Sequence, residues 1–202
     1  RYLLASGRGA LLPEGDPLGR AELLVAASLD AGKTEGRIFL AAPLSMAELR
    51  NEHGQLIRTG KRVYWDEGQQ RVIAVEEERL GSLVLDRKIW PDPDSEEVRR
   101  CLLEKIRRSG MTSLPWQKKS RELQARLRCL HFWEPDRWPE MSDETLLEDL
   151  SWLEPYLAGA TGINDLKKLD LGEILPARFS WPERQELERL APSHLEVPSG
   201  TR

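Results

Sequence analysis

The sequence predicts an α+β chain, a small antiparallel β-barrel followed by an α-helical domain, and three observations carry that reading. Residues 1–89 alternate short β-branched and aromatic runs with Gly/Pro turns, residues 91–94 read Pro-Asp-Pro-Asp, and the stretch beyond repeats leucines at helical spacing. The expected organisation is a barrel over 1–90, a Pro-rich linker at 91–94, a helical domain over 95–190 and an extended tail over 191–202.

Tyr2 to Ala5 reads as a buried strand that Ser6, Gly7, Arg8 and Gly9 interrupt before Ala10 to Leu12 resume it. Glycines inside a strand mark a barrel corner or a close approach of backbone or ligand. Arg8, set between two of them, is either a solvated arginine on that corner or a guanidinium able to grip a phosphate in bidentate fashion. Turn formers from Pro13 to Gly19 lead to a strand over Ala21 to Leu29, and Asp30, Ala31 and Gly32 turn it into Arg37 to Ala42, which Pro43 is expected to stop. Ser45 with Glu48 three residues on is a capping box for a short helix, Met46 to Arg50.

A meander follows. Arg62 to Trp65 and Arg71 to Glu77 are strands joined through Asp66-Glu67-Gly68-Gln69, with Gly68 expected in the left-handed position, and Gly81-Ser82 turns into a last strand ending near Ile89. Five or six antiparallel strands with one helix among them suit an OB-like barrel, of the oligonucleotide-binding type, with a sandwich as the alternative.

In the second half, Ser95 is read as the cap of a helix with Val98, Cys101, Leu102 and Ile106 inward, and Gly110 as its end. Leu114-Pro115 is read as starting a second helix with Trp116, Leu123, Leu127 and Leu130 inward. Ser142 caps a third, Ile163 to Leu175 gives two short helical pieces, and Ser180-Trp181-Pro182-Glu183 is a strong helix start.

Charge is uneven. Arg99 to Arg128 holds ten Lys and Arg against Glu104 and Glu122, a net +8, whereas Cys129 to Arg202 carries seven basic against fifteen acidic residues, a net −8. Such blocks make either a nucleic-acid surface or two faces that pair with each other. Arg100, Arg107, Arg108, Lys118 and Lys119 are the candidate phosphate contacts of the basic block, with Trp116 either stacking a base or packed in the core.

No catalytic signature is present: Gly32-Lys33-Thr34 matches the end of a phosphate loop, but position 27, where the upstream glycine belongs, is Ala. Cys129 and His131 lack the further ligands that a zinc site needs, and both cysteines are read as buried apolar residues. No apolar run approaches the roughly 18 residues that span a bilayer, and no signal peptide precedes the first strand, so a cytoplasmic protein is expected. The start at Arg1, without methionine and inside a strand, points to a piece of a longer protein.

RYLLASGRGALL, RIFLAAPL, LGSLVLDRKIWPDPD, LPW before an arginine-rich helix, PYLAG and LAPSHLEVPSGTR together resemble the region after the motor core in bacterial ATP-dependent helicases of the HrpB type, relatives of DEAH-box RNA helicases. The resemblance covers nearly the whole chain. It implies motor domains upstream that hold ATP and Mg²⁺, no cofactor in this piece, and an OB-like barrel that guides single-stranded RNA or DNA, with Ser6, Gly7, Arg8 and Gly9 at the strand. The helical half inherits no assigned role from the resemblance, which leaves three alternatives for its basic face: holding nucleic acid, docking on the motor, or recruiting another partner.

Overall fold

A computed structural model describes residues 1–30 and 35–194; Gly32-Lys33-Thr34 and most of the tail lie outside them. The architecture is α+β. Two compact units divide the chain: residues 1–62 with 74–92, and residues 63–73 with 93–202.

The first unit opens with β1 (Tyr2–Leu3) and β2 (Gly9–Leu11). They pair antiparallel, with Tyr2 opposite Ala10 and Leu3 opposite Gly9. The expected single bent strand is therefore a hairpin. Gly7 takes φ +89°, its N–H donates to the Leu4 carbonyl at 2.8 Å and the Leu4 N–H donates to the Arg8 carbonyl at 2.8 Å. A left-handed residue inside two such bonds reverses the chain rather than kinking it.

β3 (Leu23–Leu29) pairs antiparallel with β4 (Glu35–Leu44), which lies parallel to β2, giving the order β1-β2-β4-β3. Two successive reversals bring β4 back to the direction of β2, so the all-antiparallel expectation fails at this pair. β4 also runs through Pro43, opposite Leu24. Its pairing with β2 ends at Arg37, so beyond that point one side of β4 needs no ladder donor and proline is tolerated.

Helix α1 (Met46–His53) follows, started by the predicted box: the Glu48 N–H donates to Ser45 Oγ at 3.1 Å and the Ser45 N–H to the Glu48 carboxylate at 2.8 Å. Next come β5 (Arg58–Asp66), β6 (Arg71–Leu80) and β7 (Leu83–Ile89), a three-stranded sheet in sequence order. At the β5–β6 turn the positive φ belongs to Gln70, at +53°, and not to Gly68. The Asp66 carboxylate accepts from the Gln69 N–H at 2.6 Å, an Asx-type closure that moves the left-handed position to the end of the loop.

The second unit is built on leucines. Helices α2 (Ser95–Ser109), α3 (Lys118–Trp133), α4 (Asp143–Glu148), α5 (Ile163–Leu166), α6 (Leu171–Ile174) and α7 (Trp181–Leu190) enclose a core that includes Ile106, Leu127, Met141, Leu146, Leu153 and Leu171. Asp94, one residue before the expected Ser95, caps α2 by accepting from the Glu96 N–H. Helix α3 begins at Lys118 rather than at Leu114, because the residue before a proline is pushed out of the helical region and Leu114 sits at ψ 153°.

Residues 63–73 join this unit through backbone bonds from the Val72 N–H to the Thr161 carbonyl and from the Ile163 N–H to the Gln70 carbonyl, at 2.7 and 3.0 Å. Trp65 and Val72 pack there with Cys101 and Leu102. Cys129, expected inside, is exposed, because Leu127 and Leu130 take the inward positions of α3.

Candidate nucleic-acid interface

Within the first unit the loop between β1 and β2 exposes Ser6, Gly7 and Arg8, while Gly9 is half-buried at the start of β2. The loop is held by the turn between β6 and β7. The Ser82 N–H donates to the Ala5 carbonyl at 2.8 Å. A Cβ at Gly81, which has φ +57°, would stand 2.2 Å from that carbonyl oxygen, and one at Gly7 would stand 3.0 Å from Ser82 Oγ. Glycine is needed at both places for close approach and for conformation. The four residues Ser6, Gly7, Arg8 and Gly9 are thus one structural element with Gly81 and Ser82 as its seat, a pairing across 75 positions of sequence that no local pattern announces.

Ser82 leads to a second group. Its carbonyl accepts from Arg79 Nη2 at 3.3 Å, and Arg79 Nη1 donates to Glu77 Oε2 at 3.0 Å. Glu77 lies directly opposite Arg87 in the β6–β7 ladder and accepts from Arg87 Nε at 2.9 Å; Arg62 Nη1 approaches its other oxygen at 3.5 Å. Burial by itself would raise the Glu77 pKa, but the Arg87 hydrogen bond and the charges of Arg87, Arg79 and Arg62 outweigh it and hold the carboxyl below the usual range. The period-two pattern of these strands offered the signal for this cluster: Glu77, Arg79 and Arg87 occupy one face.

In the second unit, Arg100, Arg107 and Arg108 are exposed on α2, and Lys118 and Lys119 open α3. Among the described residues four ion pairs join the basic block to the acidic one: Arg99–Glu154 at 2.9 Å, Lys119–Glu173 at 3.0 Å, Arg121–Asp143 at 2.7 Å and Arg126–Glu188 at 2.7 Å. Three more join the block to other acids: Arg100–Glu97, Lys105–Glu67 and Lys118–Glu122. Trp116 packs against the leucine core, donates Nε1–H to the Met111 carbonyl at 2.9 Å, and has the Arg121 guanidinium 3.8 Å above its ring. That indole face is occupied.

The loop residues Ser6 to Gly9 and the five helical candidates therefore fall in different units. His131 Nδ1 is 2.7 Å from the Trp138 carbonyl oxygen, a structural contact that spends the ring nitrogen. Among the described residues no three His, Cys, Asp or Glu side chains are placed to hold a metal ion. No described helix is long and apolar enough to cross a membrane.

Residues 56–89, the β5–β7 sheet, match the family model described as ATP-dependent RNA helicase HrpB, connector region, and residues 152–202 match the one described as ATP-dependent helicase C-terminal. The ATP-dependent RNA helicase HrpB of Escherichia coli strain K12 is 34% identical over 206 residues, covering all of this chain and 26% of that protein. The chain matches the C-terminal region of HrpB-type helicases. Two solved structures agree. A crystal structure of the E. coli DExH-box NTPase HrpB superposes on this chain with a TM-score of 0.54 at 33% identity, and one of the E. coli DEAH/RHA helicase HrpB with 0.53 at 31%. Each comparison covers the whole chain and 26% of the solved one, so the chain spans about a quarter of the length of the relatives it matches.

Proposed function

We propose that this region is an accessory nucleic-acid-binding part of an ATP-dependent RNA helicase, guiding single-stranded RNA or DNA beside motor domains of the same parent chain, where ATP and Mg²⁺ are bound. The observation that carries this reading is the match along the entire chain to a protein named an ATP-dependent RNA helicase. The first unit is read as an OB-like barrel: its two sheets, with α1 between them in sequence, are compatible with that fold. Its exposed loop, with Ser6, Gly7, Arg8 and Gly9, is the contact to the strand, and Arg100, Arg107, Arg108, Lys118 and Lys119 offer further phosphate contacts in the helical unit. A helicase accessory of this kind works in the cytoplasm.

A second reading is favoured by the ion pairs between the basic and acidic blocks. In it the helical unit is a structural or protein-interaction module that docks on the helicase core or a partner without touching nucleic acid. Exposed ion pairs are worth little individually, so they leave the lysines and arginines open to exchange for phosphates, and the first reading stands ahead. Fluorescence anisotropy with single-stranded RNA and DNA decides between them. The first reading expects binding that weakens steeply with salt and weakens again in Arg8→Ala. The second expects an indifferent Arg8→Ala and a loss of stability on charge reversal within Arg99 to Arg128. Absence of binding by both strands at low salt removes the nucleic-acid role for this chain.

A further inference from the structure

Glu77 is 99% buried at the middle of the connector sheet, with its side chain only 1% exposed, yet three guanidiniums converge on it: Arg62 from β5, Arg79 from β6 and Arg87 from β7. Those arginines are themselves 53%, 30% and 52% exposed. One buried carboxylate therefore anchors three partly exposed guanidiniums from beneath. A guanidinium has five N–H donors; Arg87 directs Nε and Nη2 to Glu77 Oε1, and Arg79 one nitrogen to Glu77 and another to the Ser82 carbonyl.

We propose that Arg62, Arg79 and Arg87, oriented from below by Glu77, form a phosphate-contacting row on the β5–β7 sheet for single-stranded nucleic acid. The proposal rests on the accessory nucleic-acid-binding reading and names a further contact surface within it. Neighbouring strands lie about 4.8 Å apart, so a row from β5 to β7 is about 10 Å long and meets successive anions along a line, as a sugar–phosphate backbone supplies. The row adjoins the β1–β2 loop through the Arg79–Ser82–Ala5 chain of hydrogen bonds, which gives one strand a continuous course from Ser6 and Arg8 to Arg87. Holding guanidiniums in place before the strand arrives lowers the ordering cost of binding, and a buried carboxylate does so without offering itself to solvent.

The test is anisotropy of a fluorescein-labelled oligouridylate with the whole chain as wild type, as Arg62→Gln/Arg87→Gln and as Arg87→Lys, each titrated over a range of salt. The double variant is expected to bind about tenfold more weakly at low salt, with the slope of log affinity against log salt smaller by about 1.4, since each single-strand phosphate contact contributes about 0.7. Arg87→Lys keeps the charge and the folded cluster but loses the fork, and is expected to bind about threefold more weakly with the slope kept. Wild-type binding with unchanged affinity and slope in both variants overturns this row and leaves the accessory reading intact. No binding by the wild type overturns both. A parallel titration with labelled polyglutamate covers the protein-partner case: loss of polyglutamate affinity in the double variant, with oligouridylate affinity unchanged, assigns the arginines to a protein surface and overturns the proposal.

Discussion

Gly81 carries more of the first unit than its small side chain suggests. Its φ of +57° and the 2.2 Å separation between a Cβ there and the Ala5 oxygen mean that Gly81→Ala must push the β1–β2 loop off its seat. The cost is expected to be about 1–3 kcal/mol, read as a lower urea midpoint, together with weaker binding by the loop. Glu77 makes a pH prediction. Its folded pKa lies below that of an ordinary carboxyl, so its contribution to stability is complete above the unfolded value of about 4.3 and is lost as pH falls through the lower folded value. Urea unfolding of Glu77→Gln should show a loss of about 1–3 kcal/mol at neutral pH, from arginines left without their acceptor, and a flatter decline in acid than the wild type. Equal midpoints at neutral pH would show that the carboxylate does not hold the cluster.

At the scale of elements, α3 packs on α6 and α7, with Leu127 fully buried in the leucine core of the second unit. Leu127→Ala is expected to cost about 2–5 kcal/mol by leaving a cavity, visible as a loss of helical circular dichroism at lower temperature. Much at this scale was legible in sequence. The capping boxes at Ser45 and Ser180 formed as written, because each is a local exchange of two hydrogen bonds within four residues. What could not be read depended on distant partners. The glycines around Arg8 announced a special backbone but not a hairpin, since the bond that seats the loop comes from Ser82. Trp116 kept phase with the leucines although it precedes its helix, because Pro115 delays the start while the indole still reaches the core. Residues 63–73 join the helices partly through backbone bonds between Val72 and Thr161 and between Ile163 and Gln70, which carry no side-chain signature, beside the packing of Trp65 and Val72 on Cys101 and Leu102.

For the molecule as a whole, charge counting and structure lead to different emphases. The +8 and −8 blocks suggested a basic helical face, yet the side chains pair across the blocks, and the more strongly organised positive group is the arginine cluster of the first unit, in a stretch whose charges cancel overall. Net charge per segment is blind to a buried carboxylate that gathers three arginines from adjacent strands. The proposed role of this chain turns on contact with single-stranded nucleic acid. Photocrosslinking of a 4-thiouridine-bearing RNA to the chain, mapped by mass spectrometry, tests it most directly: crosslinked peptides from the β1–β2 loop and the β5–β7 sheet are the predicted result, and a chain that yields no crosslink at low salt would contradict it.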